Sequence, residues 1–326
     1  MTPIAEENLR TGAAFARLVS LDVSLYTPEE VRAFAADCGM QEHEAFLVLL
    51  AAALGREEDR PWQRDYLARC VRPLDAAGYR ADPYYAAIRF PEIARGRWRM
   101  THQRFAPYQL IPCGHTRLTP EGRELPRLGY FAEPFCYPAV LENGREWMTV
   151  TPNEIATMAK EIAQAQGHVA ALGLGLGYFA FMCARKPQVT HVTVVERDAD
   201  AIALFREQLL PQFPEGDKIT LVRADAFDYL QAPDPTVDLV FADLWHDVGD
   251  GLPLYLRLLP LAARWRADFR YWIEEDMLIF LRGLLLEEGR EMDLTDVKRW
   301  AGTAEGRETL SAWLRAPVPP PARCGS

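Results

Sequence analysis

The sequence predicts an α/β protein, in which a Rossmann-like, doubly wound and mostly parallel sheet follows a helical N-terminal region and a β-hairpin segment. Short apolar strands alternate with helices after residue 150, which is typical of a parallel sheet covered by helices on both faces. The first of these strands runs into a glycine-rich turn, and the next strand ends on an acid. Helix and hairpin patterns dominate before residue 150.

Composition excludes several classes of protein. The chain has 326 residues, of which 49% are hydrophobic and 25% charged, as in ordinary globular proteins. The net charge of -10 argues against a broad nucleic-acid or anionic-membrane surface, because both need an excess of cations. The start is not a secretory signal, and the longest apolar run, Ala45–Leu54, is shorter than the roughly 20 residues of a membrane span.

The six cysteines include no CxxC pair and have no zinc-ligand spacing. We therefore expect reduced thiols, no metal site and a cytoplasmic location. Three disulfides are the alternative that an even count leaves open.

Residues 1–105 are predicted to form a helical domain. Thr27 is an N-cap before Pro28, and Gly39 is a stop signal for the same helix. This domain carries no readable motif, and three roles stay open for it: capping a site, supplying substrate specificity or forming a homodimer contact. Further helices are predicted near residues 41–54, 62–71 and 83–88.

Arginines and aromatics are interleaved over residues 89–104. Such a pattern can bind nucleic acid or phosphate. The alternative is a solvated linker whose arginines pair with acids elsewhere in the chain. The acidic net charge favours the linker.

Residues 106–150 are predicted to form a β-hairpin segment. Asn143-Gly144 is its tip, because both residue types tolerate the positive φ angles of a tight hairpin turn. Thr151 and Glu154 then match a capping box at the start of a helix. This helix opens the last domain, residues 151–326.

The last domain is predicted to alternate strands and helices and to end in a helical tail. Ligands of such sheets bind at the carboxyl ends of the strands. The proline-rich stretch Pro317–Pro321 is expected to be an extended end. Strands are predicted near residues 168–173, 191–196, 218–223, 237–243 and 269–274. Helices are predicted near residues 178–185, 200–210, 226–230, 252–265, 277–286, 295–300 and 304–314.

The turn after the first of these strands contains Gly173, Gly175 and Gly177. Glycines permit a tight turn and let a ligand approach the backbone, while the following helix presents free amides. Glu196 ends the next strand, 23 residues after Gly173, where an acid can accept both hydroxyl hydrogens of a ribose. The pair predicts an adenosine-containing cofactor. The GxGxG spacing leaves an NAD-dependent dehydrogenase, or a plain βαβ unit with incidental glycines, as alternatives.

Four stretches together resemble the class I S-adenosylmethionine-dependent methyltransferases, and most of all their spermidine-synthase-like branch: Leu172–Gly177, Val194–Asp198, Arg223–Ala226 and Asp238–Asp243. The likeness covers about residues 140–290. It implies that S-adenosylmethionine is the cofactor, with its methionine part over the glycine turn and its ribose on Glu196. The cofactor-binding residues that it implies are Leu172, Gly173, Gly175, Gly177, Tyr178, Glu196, Arg197, Asp225, Ala226 and Asp243.

Methyl transfer is a direct displacement, and a base is needed only when the nucleophile arrives protonated. The candidate catalytic residues follow the fourth strand: Asp243, His246 and Asp247. The candidate substrate residues are Trp147, Trp245 and Glu274. A solvated loop histidine and turn or helix-capping acids are the structural alternatives. The acids near this edge favour a neutral or cationic acceptor over a polyanion.

The chain departs from polyamine synthases after the fourth strand. Asp243-Leu244-Trp245-His246-Asp247 stands where those enzymes have a DSSD-like run, so the second acid is displaced and the small hydroxyls are missing. We therefore predict an S-adenosylmethionine-dependent methyltransferase with a small-molecule acceptor. The alternatives are a polyamine-synthase-like aminopropyl transferase and a non-catalytic cofactor-binding module.

Overall fold

The computed structural model describes residues 2–315 and begins with helices. The predicted extended stretch Pro317–Pro321 lies outside the described residues. Thr27 caps the second helix in a reciprocal box with Glu30, and Gly39 ends it at a φ of 65°. The helices are α1 Pro3–Ser20, α2 Pro28–Cys38, α3 Glu42–Ala53, α4 Arg60–Trp62, α5 Ala68–Cys70, α6 Ala76–Arg80 and α7 Pro83–Ala87, with a π-helical stretch Gln63–Leu67 between α4 and α5.

The arginine-rich residues form strands, not the expected linker. The prediction of a helical region up to residue 105 is therefore wrong beyond Ala87, because residues 98–105 pair with a strand of the hairpin segment. The expected charge pairing does occur, since Arg95 pairs with Glu207 and Arg97 with Asp198. The strands are β1 Val71–Pro73, β2 Ile93–Arg95, β3 Trp98–Phe105, β4 Ile111–Pro112, β5 Arg117–Leu118, β6 Glu124–Leu125, β7 Leu128–Tyr130, β8 Phe135–Glu142 and β9 Arg145–Thr149.

The predicted hairpin is the pair β8 and β9 in a four-stranded sheet of order β2-β3-β8-β9. Its tip is confirmed, with φ angles of 51° at Asn143 and 84° at Gly144. The register shifts so that Val140 faces Met148 while Leu141 faces Glu146, which leaves Trp147 as an extra residue. Such a β-bulge turns a side chain out of the regular alternation.

The second half forms the predicted parallel sheet, with strand order β12-β11-β10-β13-β14 and every neighbouring pair parallel. The fold class is confirmed. The elements are α8 Pro152–Gln164, β10 Gly167–Leu172, α9 Tyr178–Ala184, β11 Val189–Glu196, α10 Ala199–Leu204, β12 Ile219–Arg223, α11 Ala226–Tyr229, β13 Leu239–Ala242, α12 Val248–Ala262, β14 Asp268–Tyr271, α13 Glu274–Glu287, α14 Leu294–Ala301 and α15 Ala304–Arg315. A π-helical stretch, Phe205–Leu209, and the 3₁₀ turns Leu210–Gln212 and Gly216–Lys218 connect α10 to β12.

The largest apolar core surrounds the parallel sheet and extends beyond the last domain. Tyr84, Trp98 and Val140 belong to the same core cluster as Val192 and Val240 of the central strands. A second cluster lies among the N-terminal helices. Because the first cluster crosses residue 150, the division into residues 1–105, 106–150 and 151–326 stays a prediction. Within residues 2–315, no helix combines the length and hydropathy needed to cross a membrane.

Candidate functional site

A cavity of about 210 Å³ lies at the carboxyl ends of the parallel strands, where β10 separates β11 and β12 on one side from β13 on the other. Sheets of this topology bind ligands at that switch point. The residues predicted for the site that line this cavity are Trp147, Gly173, Gly175, Glu196, Arg197, Asp225, Ala226, Asp243, Trp245 and His246.

Two glycines without side chains, Gly173 and Gly175, line the cavity at the glycine turn together with Leu174. Gly173 has a φ of 99° and Gly175 a φ of 51°, in the left-handed region that disfavours other residues. A Cβ at Gly173 would overlap the backbone oxygen of Asp243, and a Cβ at Gly175 would overlap the Met148 side chain. The turn therefore packs tightly while its backbone stays accessible from the cavity.

Glu196 holds the glycine turn and the chain after β11 together. The backbone N–H of Asp198 donates to its Oε1 at 2.8 Å, and the Leu174 N–H lies 3.4 Å from its Oε2. The carboxylate lies on the cavity wall, next to the exposed Arg197. It is placed to accept hydrogen bonds from a ligand that carries adjacent hydroxyls.

Asp225 follows β12 and faces the same cavity. Its Oδ1 accepts a hydrogen bond from the Phe227 N–H at 2.8 Å, which fixes the carboxylate at the start of α11. Four apolar residues line the same cavity: Val195, Leu204, Ala226 and Phe227.

Asp243 directly follows β13 and lies beside the glycine turn. Enclosure by protein, together with the smaller effect of the nearby Glu154 carboxylate, raises the pKa of its carboxyl to about 8. Burial also raises the pKa of Glu154, although hydrogen bonds from the Thr151 hydroxyl and N–H oppose that shift. Asp243 can therefore carry a proton near neutral pH or bind a cation in its ionised form.

His246 and two tryptophans close the cavity on the side of Asp243. The Trp147 ring, turned outward by the β-bulge, lies edge-on to the His246 ring with centroids 4.3 Å apart. Trp245 is almost fully buried and donates from Nε1 to the Trp272 carbonyl at 3.2 Å. Trp147 and His246 are therefore accessible to a ligand, while Trp245 supports the wall.

Five predicted residues do not line the cavity, because each has another structural position. Leu172 is buried in β10, and a Cβ at Gly177 would overlap the Phe205 ring. Tyr178 donates from its hydroxyl to Asp82 at 3.1 Å. Asp247 caps α12, and Glu274 accepts hydrogen bonds from Tyr255 and Lys298.

The sequence did not single out Arg97, Trp98 and Glu142, which line the cavity from the N-terminal side. Arg97 pairs with both Glu142 and Asp198, and the Trp98 indole N–H donates to Asp198 at 2.8 Å. The interleaved arginines and aromatics were the available signal. That signal could not be interpreted from the sequence, because it depends on the pairing of two strands, β3 and β8, that are far apart in the chain.

These walls fit an adenosine-containing cofactor. A glycine turn, a carboxylate for ribose hydroxyls and an acid in a partly apolar cavity match the methionine, ribose and adenine parts that the resemblance implies. No group of three or more potential metal-ligating side chains occurs in the part of the chain that the structure describes.

One known protein family matches the part of the chain that contains most of this site. The family model of the spermine/spermidine synthase domain matches residues 148–259, which span the glycine turn and the strand-end acids. No curated protein matches the chain significantly.

Solved structures match only in part. A spermidine synthase in complex with the transition-state analogue AdoDATO is 18% identical over 33% of this chain and 39% of its own, with a TM-score of 0.27. The Thermotoga maritima spermidine synthase is 15% identical over 45% of this chain and 55% of its own, with a TM-score of 0.32. M. jannaschii TYW2 in complex with AdoMet is 19% identical over 30% of this chain and 44% of its own, with a TM-score of 0.24.

This chain thus spans about half or less of the length of each of those proteins. TM-scores this low support no conclusion about function. The sequence match is the stronger finding. It confirms that residues 148–259 resemble the spermine/spermidine synthase domain, as the sequence predicts.

Proposed function

We propose that this chain is an S-adenosylmethionine-dependent methyltransferase that acts on a small neutral or cationic acceptor. The observation that carries the proposal is the position of Asp243, an enclosed acid between the glycine turn and an acid-lined space. Bound S-adenosylmethionine would supply an activated methyl group, with Glu196 and Asp225 holding its ribose and adenine. Asp243 would hold or orient the acceptor beside the glycine turn.

The charge around Asp243 supports an amine as the acceptor. A second cavity of about 240 Å³ shares Asp243 and His246 with the first and is also lined by Glu146 and Glu154. Arg145 is the one lysine or arginine on its wall within the described residues. Carboxylates outnumber the cation there, so a small amine is favoured over an anion.

Aminopropyl transfer from decarboxylated S-adenosylmethionine is the second candidate. It is favoured by the family match and by the charges at the glycine turn. The two arginines of the first cavity, Arg97 and Arg197, neighbour Asp198 on the ribose side. Within the described residues, three arginines line the two cavities, Arg97, Arg197 and Arg145, and acidic side chains outnumber them. The tail of decarboxylated S-adenosylmethionine carries an ammonium group and no carboxylate, so it suits these acidic cavities.

Calorimetry with S-adenosylmethionine, S-adenosylhomocysteine, decarboxylated S-adenosylmethionine and NADH tests the cofactor site. We expect an adenosyl sulfonium compound to bind and Glu196→Ala to weaken it by roughly 10- to 100-fold, because charge-assisted hydrogen bonds to ribose are lost. Glu287→Ala, which changes an exposed acid at the end of α13, is the matched control. Unchanged affinity in Glu196→Ala, or binding of NADH alone, would contradict the assignment.

Turnover decides which group is transferred. Each donor is incubated with a panel of small amines, and mass spectrometry measures the mass added to the acceptor. We expect methylation with S-adenosylmethionine. Addition of an aminopropyl group from the decarboxylated donor would establish the second candidate, and tight cofactor binding without turnover on the panel would favour a non-catalytic module.

A further inference from the structure

His246 is held in one orientation by Asp250. Its Nδ1 lies 2.8 Å from Asp250 Oδ2, and its backbone N–H donates to both oxygens of the same carboxylate at 3.0 and 3.2 Å. Asp250 is fixed in turn, because it also accepts the Asp247 N–H at 3.0 Å in the capping box of α12. The Trp147 ring limits movement of the imidazole from the side of β9.

The contact with Asp250 also selects the tautomer of His246. Partial burial acts to raise the pKa of Asp250, but hydrogen bonds from the Asp247 N–H and from the His246 ring and N–H lower it, so the carboxylate is ionised at neutral pH. An ionised carboxylate can only accept a hydrogen bond. Nδ1 of the neutral imidazole therefore carries the hydrogen that it donates to Asp250. The lone pair is then on Nε2, which has no hydrogen-bond partner among residues 2–315.

We propose that His246 and Asp250 form a proton-accepting dyad for the acceptor amine, with Nε2 of His246 as the base and Asp250 as its positioning residue. This inference rests on the proposed function. In the transfer, the acceptor nitrogen forms a bond to carbon as the carbon–sulfur bond breaks, and the electron pair of that bond stays on sulfur as a thioether. The proton released from nitrogen passes to Nε2.

The position of His246 agrees with that role. It lines the cavity that holds the glycine turn and also the acid-lined cavity beyond Asp243, so it stands at the junction of the two. The titratable and charged groups that face it there are Asp250, Asp243, Glu154, Glu146 and Arg145. Asp243 retains its proton near neutral pH, since its pKa is raised to about 8, and is less suited to accept another.

Two variants test the dyad, His246→Gln and Asp250→Asn. We expect His246→Gln to lower kcat by about 100-fold and to abolish the acidic limb of the pH profile. Asp250→Asn should lower kcat about 10-fold with little change in KM.

A measurement without turnover tests the same assignment. Nitrogen NMR of the His246 ring in the free protein should report hydrogen on Nδ1 in the wild type and a mixture of tautomers in Asp250→Asn. His102→Gln is the matched control, because His102 pairs with Glu92 at 3.1 Å on an exposed face away from both cavities.

The outcomes separate the dyad from the proposed function. An acidic limb that survives in His246→Gln, or hydrogen on Nε2 in the wild type, would overturn the dyad while transfer itself remains. Absence of cofactor binding in the wild type would instead refute the proposed function. Cofactor affinity and thermal melting of each variant identify any loss of folding.

Discussion

At the scale of single residues, the chemistry of the site depends on acids that the fold encloses. Asp243 and Glu154 come from different elements, one after β13 and the other in the first turn of α8, and their charges oppose each other. Placing two carboxyls together in a poorly hydrated space favours protonation of at least one. This arrangement lowers the stability of the fold. It also means that binding of a cationic ligand favours the ionised form of both carboxyls.

The raised pKa of Asp243 predicts how stability varies with pH. Between its ordinary value near 4 and the folded value of about 8, the folded state keeps the proton that the unfolded state loses, so this carboxyl lowers stability progressively as pH rises. Asp243→Asn removes that titration. We expect the variant to gain roughly 1–3 kcal/mol relative to the wild type between pH 5 and pH 9, as measured by urea unfolding. A difference that does not vary with pH would contradict the raised pKa.

At the scale of elements, the loops between regular segments define the cavity. The glycine turn links β10 to α9 with three residues of positive φ, and the β-bulge in β9 brings Trp147 to His246. The central strands β10, β11 and β13 are mostly buried and form the frame. The candidate site therefore depends on short segments whose conformation this frame determines.

The glycine turn offers a graded test of that dependence. Gly173→Ala combines a strained φ with an overlap on backbone, which cannot move aside, and should cost about 3 kcal/mol or more of stability. Gly175→Ala meets the flexible end of Met148 and should cost about 1–2 kcal/mol. Gly39→Ala, with positive φ but no atom within 4 Å, is the control at about 1 kcal/mol. Equal losses in urea unfolding would argue against the backbone contact at Gly173.

At the scale of the whole molecule, the N-terminal half is attached to the parallel-sheet half at several points. The end of β2 and the turn before β3 are joined to the region after β11 by the ion pairs Arg95–Glu207 and Arg97–Asp198, and the second of these pairs lines the cavity. Elsewhere, the His115 ring and Asp276 at the start of α13 lie 2.6 Å apart. The N-terminal half is thus part of the site wall, which agrees with the open role of capping.

The Arg97–Asp198 pair predicts an effect of the N-terminal half on cofactor binding. Arg97→Ala should weaken the binding of the proposed adenosyl cofactor by about two- to fivefold, because half-exposed ion pairs contribute little but this one holds the turn before β3 against Asp198 on the cavity wall. The effect should shrink at high salt, which screens the pair. Arg99→Ala, an exposed neighbour on β3 that does not line the cavity, is the control in the same calorimetry. Equal losses for both variants would exclude a specific contact.

The sequence alone determined the parallel-sheet half, because its signals are local. The period of apolar residues, the turn at Gly173 and the capping box at Thr151 and Glu154 each act within a few residues, and the structure has them where the sequence predicts. The acids at the strand ends could be placed at one edge because parallel strands share that edge.

Only the tertiary structure decided how the remaining side chains act. Trp98 became a wall of the cavity through a pairing of β3 with β8, more than 30 residues along the chain. Asp247 became a helix cap and Asp250 the partner of His246, although they stand only three residues apart at the start of α12. Pairing between distant segments and the direction of a side chain depend on packing across the whole fold, which no local pattern encodes.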